Sequence, residues 1–122
     1  ITDIKTYYSD MPTLDEAHYL CAILNAPCVN TAIKAYQSQG LFGERDIGRT
    51  PFEACAIPPF DPQNPDHLEL ARLSKEAHEA TLFIRTAEHI KGGIAGLRRL
   101  ARDSAQAQIE AIDKIAERIL DL

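Results

Sequence analysis

The sequence predicts a mainly α protein of the α+β class: a helical domain with a small β element and a long C-terminal helix or helix pair. Three observations carry this. Helix-start signals occur at Thr13, Pro27 and Asn64, each followed by apolar residues at helical spacing. Phe52 to Ile57 (FEACAI) is the one short, alternating apolar run that reads as a strand. Ile109, Ile112, Ala116 and Ile119 step by three, four and three, the spacing of a helix packed on another helix.

Taken in order, Ile1 to Asp10 carries Ile, Thr and paired Tyr and predicts a short leading strand. Thr13 and Glu16 form a Thr-x-x-Glu capping box, in which each side chain satisfies a free backbone N–H of the other. The helix it opens runs to Leu24, with Ala17, Leu20, Cys21 and Leu24 on one face. Asn25-Ala26-Pro27 breaks it, and Pro27 suits the first turn of a second helix through Val29, Ile33 and Tyr36. Gly40 stops that helix, and a loop with Gly40, Gly43 and Gly48 follows.

After the predicted strand, Pro58, Pro59 and Pro62 forbid regular structure. Asn64 then caps a helix beginning at Pro65, with Asp66 suited to the helix dipole. Leu68, Ala71, Ala77, Ala80, Ile84 and Ala87 give it a face up to about Ile90, where Gly92-Gly93 interrupts. Ile94 to Leu122 reads as one or two further helices, with Asp103-Ser104 either a new cap or part of a continuous helix.

The 122 residues amount to one domain, divided into a recognition-like part (1–60) and a helical part (61–122). A 45% apolar and 25% charged composition is that of a soluble cytoplasmic protein. No apolar run is long enough to span a bilayer, so no membrane partner is expected. The first residues lack a signal-peptide pattern and an initiator Met, which predicts a C-terminal fragment of a longer chain. The net charge of −5 argues against a freestanding nucleic-acid binder but leaves room for a local basic patch. Cys21, Cys28 and Cys55 are odd in number and lack a CxxC, so they read as buried thiols.

Four sets of residues suggest chemistry. Ile57-Pro-Pro-Phe60 has the shape of the Asn/Asp-Pro-Pro-aromatic motif of amino-group methylation, but Ile57 offers no acceptor for the amine. His67, His78 and His89 recur every eleven residues, yet neighbours stand about 16 Å apart on a helix and cannot share an ion. His18, Cys21 and Cys28 supply three metal ligands without a fourth. No cysteine or carboxylate pair completes a catalytic set. The fourth set is Asn30, Lys34, Gln37, Ser38, Gln39, Arg45 and Arg49, a polar and basic run over a helix end and a Gly-rich loop. Arg, Asn and Gln suit base edges, and Lys and Ser suit phosphates.

The order of these features resembles the C-terminal target-recognition region of restriction–modification N6-adenine DNA methyltransferases. That group includes fused methylase–nucleases and is related to type I specificity subunits. The resemblance spans Leu14 to Glu79: a helix ending in Ile23-Leu24-Asn25-Ala26, a second helix, a Gly-rich polar loop, an apolar run ending in Ile-Pro, and a helix opened by Pro, Asn and Asp. The tail AIDKIAERILDL resembles the usual ending of such proteins. Ala26 stands where Ser is usual, so any hydroxyl role there is lost.

The resemblance implies a non-catalytic module that helps hold and read double-stranded DNA. An upstream methyltransferase domain of the same chain would bind S-adenosylmethionine, and no cofactor is expected in this fragment. Arg45 and Arg49 are the first candidates for DNA contact, followed by Asn30, Lys34, Gln37, Ser38 and Gln39. The alternative is a helical scaffold whose last helix contacts another subunit or domain, or forms a homo-oligomer, through the stripe from Ile109 to Ile119.

Overall fold

The computed structural model describes residues 10–34, 54–82, 84 and 92–122, and the backbone of 39–40 and 43–44. They form five helices: α1 (Leu14–Leu24), α2 (Pro27–Ile33), α3 (Pro65–Thr81), α4 (Gly93–Ser104) and α5 (Gln106–Leu120). The chain is mainly α, as expected. Among the described residues, extended pairing amounts to two antiparallel pairs between β1 (Gln39–Gly40) and β2 (Gly43–Glu44), with Gln39 opposite Glu44 and Gly40 opposite Gly43.

Local signals place the helix starts. Thr13 Oγ1 accepts the Glu16 N–H at 3.1 Å, and Asn64 Oδ1 accepts the Asp66 N–H at 2.9 Å. Gly92 caps α4 with φ 89°, a left-handed backbone that glycine adopts without a Cβ penalty. The predicted leading strand at Ile1 to Asp10 lies almost wholly outside the described residues.

The predicted strand over Phe52 to Ile57 is not formed where it is described. Ala54 and Cys55 make a helical turn, and Ala56 has φ 49°. Left-handed backbone at an alanine ends any extended run, and Pro58 and Pro59 have no N–H to give a ladder. Among the described residues of the run, 54–57, Cys55 alone is fully buried, one inward side chain rather than a sheet face.

Two helix faces also differ from expectation. In α1 the buried residues are Tyr19, Ala22 and Ile23; Ala17, Leu20, Cys21 and Leu24 are only half-buried. This helix is apolar on most of its sides, so spacing alone allows two stripes. Tyr19 decides between them. Its hydroxyl donates to Pro58 O at 2.7 Å, and its ring packs on Phe60 and His67 at centroid distances of 5.3 and 4.5 Å. In α3 the inward residues are His67, Leu70, Ala71, Leu73 and Ser74, while Leu68 is exposed. The helix ends at Thr81, short of the expected Ile90. Helix α2 ends at Ile33, with Tyr36 outside the described residues.

One hydrophobic cluster joins α1, α2, α3 and α5, centred on Tyr19, Ile23, Val29, Ile33, Leu70 and Ile112. Helix α1 lies along α3, and α5 packs across α3 and α2. The α5 stripe is spent inside this core: Ile112 and Ala116 are buried, and Ile119 packs against the cluster. The chain's own core therefore occupies much of that stripe, with Ile109 half-buried at its start. Between α4 and α5 the break is a single residue, Ala105, and Asp103-Ser104 finishes α4 rather than capping α5.

Candidate functional site

Helix α2 carries the first of the predicted contact residues. Its N-terminus lacks a side-chain cap of its own, because Ala26 has no hydroxyl. The cap comes from 85 residues away: Asp113 Oδ1 on α5 accepts the Cys28 N–H at 2.8 Å. A carboxylate there satisfies one free amide and faces the positive end of the helix dipole. Burial pushes the Cys28 thiol up to about 12, and the Asp113 carboxylate beside it adds to the rise, so Cys28 is an inert thiol at neutral pH.

With Val29 and Ile33 fixed inward, the opposite side of α2 faces solvent. Asn30 and Lys34, one turn apart, are both exposed on it. Gln39 lies in β1, at the first rung of the short hairpin. Gln37, Ser38, Arg45 and Arg49 lie outside the described residues, so Asn30 and Lys34 are the pair of predicted contacts brought onto one described face.

A second group of polar residues sits between α1 and α3. His18 Nδ1 and Ser74 Oγ are 2.8 Å apart, His78 Nδ1 donates to Ser74 O at 2.7 Å, and the two imidazoles meet edge to face at 5.0 Å. Lys75 pairs with Asp15 beside them. Ser74 is 2% exposed, on the inner side of a helix whose amides are already bonded. It ties two helices together and is not presented to a substrate. Next to it lies a cavity of 360 Å³, walled mainly by Ala22, Ala77, Ala105 and Ile112.

Burial holds the His18 pKa below its ordinary 6.5; His78 and Lys75 add to the fall, and Asp15 opposes it. The folded state therefore prefers neutral His18, and the unfolded chain takes up its proton first. The sign follows: the stabilisation is present above about pH 6.5 and is lost as pH falls through the folded pKa. Urea midpoints are expected to drop between pH 7 and pH 5, and to drop less in His18→Gln. An equal drop in both proteins would remove His18 as the cause.

The other histidines and the Pro-Pro turn are structural in this geometry. His67 is buried and accepts the Asp61 N–H at its Nδ1, 2.9 Å away. Phe60 of the Ile57-Pro-Pro-Phe60 turn stacks on it at 6.2 Å. His89 is outside the described residues. Among the described residues no three His, Cys, Asp or Glu side chains gather as metal ligands would.

The residues that the sequence reading passed over are Arg98, Arg99 and Arg102 on α4. All are exposed, and none forms an ion pair among the described residues. The signal was the Leu-Arg-Arg-Leu-Ala-Arg run at 97–102, three arginines in five positions of an acidic chain.

No family model, no curated protein and no solved structure matches this chain. No helix of the described residues is long and apolar enough to cross a membrane.

Proposed function

We propose that the chain is a non-catalytic DNA target-recognition module, part of a restriction–modification N6-adenine methyltransferase whose S-adenosylmethionine site belongs to an upstream domain. The observation that carries the reading is the outward face of α2. Asn30 and Lys34 stand one turn apart on it, and the Gly40–Gly43 pairing follows a few residues later in the chain. An amide that can pair with a base edge and an ammonium suited to phosphate are what a duplex-reading helix end requires. Helices α3 and α5 then act as the support, with Asp113 anchoring the start of α2. A scaffold role through the last helix is less well supported, because its stripe is already occupied by the chain's own core.

Fluorescence anisotropy with random-sequence duplex DNA at two salt concentrations tests this. Binding that weakens with salt, and weakens further in Asn30→Ala/Lys34→Ala and in Arg45→Ala/Arg49→Ala, is the expected result. Binding unchanged in both double variants would reject the α2–loop surface as the contact.

A further inference from the structure

We infer that Arg98, Arg99 and Arg102 of α4 form a second, sequence-independent contact: a phosphate-binding strip on the backbone of the same duplex. The inference rests on the DNA reading for its partner, and on α4 itself for its geometry.

Helix α4 differs from the rest of the fold. Alone among the described helices it buries no residue. The other described arginines are engaged: Arg72 with Glu69 and Glu76, Arg118 with Asp66. The three on α4 form no ion pair among the described residues, although Asp103 is one turn from Arg99.

At 100° per residue the three arginines fall within an arc of roughly 100°. Like charges three and four residues apart weaken an isolated helix. Gathering them on one face of a chain of net charge −5 is a local reversal of sign, and the surface complementary to it is a polyanion.

A nucleic-acid backbone fits the spacing. Arg98 and Arg102 are separated by about 6 Å along the helix axis, while each DNA strand presents a phosphate about every 3.4 Å of its axis. Guanidinium groups bind phosphate through paired N–H donors. One side of α4 rests on the body of the protein: Ala101 and Arg102 line the cavity against α1, α3 and α5. Arg98 and Arg99 lie outside that lining, and all three arginines are exposed. An anionic membrane is the poorer fit, because an inserting helix needs a broad free apolar face. Leu100 and Ala101 are half-covered here, leaving Ile94 and Leu97 as the exposed apolar side chains of the helix.

The test is the salt dependence of duplex binding by the whole 122-residue chain, measured by anisotropy between about 50 and 200 mM salt. Each phosphate contact contributes about 0.9 to the slope of log K against log salt. The Arg98→Ala/Arg99→Ala/Arg102→Ala variant is expected to lose about 2 to 3 from that slope, to the same extent on duplexes of different sequence. The matching triple lysine variant should keep most of it. Circular dichroism of both variants checks that α4 stays folded.

A triple alanine variant with the slope and affinity of the parent chain overturns the inference. If Asn30→Ala/Lys34→Ala still weakens binding in that case, the DNA reading survives without it. Loss confined to the arginine variant keeps the inference and removes α2 from the contact. Failure of the parent chain to bind duplex at about 50 mM salt, with arginine-dependent binding to vesicles of anionic phospholipid, overturns both.

Discussion

Replacing Leu70 by alanine is expected to lower the free energy of unfolding by about 2–5 kcal/mol. Leu70 is fully buried at the middle of α3, the helix against which both α1 and α5 pack. The loss has two parts, the transfer of the removed methyl groups and the cavity left behind. Neighbours from three helices line the site, so it cannot collapse by moving one element. A domain of this size holds roughly 5–15 kcal/mol in all, so the variant should sit near the edge of folding at 37 °C. Urea unfolding measures it: the midpoint falls while the slope with denaturant stays constant. Leu70→Met, which conserves volume, should cost less than about 1.5 kcal/mol. A loss below about 1 kcal/mol in the alanine variant would mean that α1, α3 and α5 do not share one core.

How far the sequence predicts this fold depends on the range of the interaction concerned. Thr13, Pro27 and Asn64 act within one turn of their own position, and the helices begin where those residues say they should. The inward faces of α1 and α3 were not legible. Apolar spacing in α1 fits two stripes, and the choice between them was made by the Tyr19 hydroxyl reaching Pro58, 39 residues away. In α3 the buried side includes His67 and Ser74, polar residues that an apolar count passes over because their partners, Asp61 and His18, come from other elements. The FEACAI run has the alternation of a strand, but its described part, 54–57, pairs with no strand among the described residues, and backbone hydrogen bonding rather than alternation decides whether a strand exists. Within the candidate site, Asn30 and Lys34 were legible because they lie four apart on a helix. The arginines of α4 were written in the sequence too. Their significance depended on knowing that Arg72 and Arg118 are neutralised locally, whereas these three form no ion pair among the described residues.

Removing the Asp113 carboxylate is expected to loosen α2 from a distance. Asp113→Ala takes away the acceptor of the Cys28 N–H and leaves that amide, in the first turn of α2, without its partner. Loss of an N-terminal cap costs about 0.5–2 kcal/mol, and the charge of this one adds a dipole contribution of up to about 1 kcal/mol. The side chain is half-buried rather than enclosed, so a total of about 1–2 kcal/mol is expected. Asp113→Asn keeps an acceptor without the charge and should recover about half of the loss. Ala26→Ser offers a sharper check, since it restores a hydroxyl at the position that starts α2. In the Asp113→Ala background it should regain up to about 1 kcal/mol; in the parent chain, where the amide is already satisfied, it should change little. If α2 carries the DNA-reading face, Asp113→Ala should also weaken duplex binding without altering any residue on that face. Thermal unfolding and anisotropy on these four variants and the parent chain separate the two effects. A stability loss with unchanged binding would leave Asp113 as an anchor of the fold alone; unchanged stability would show that the carboxylate does not cap α2.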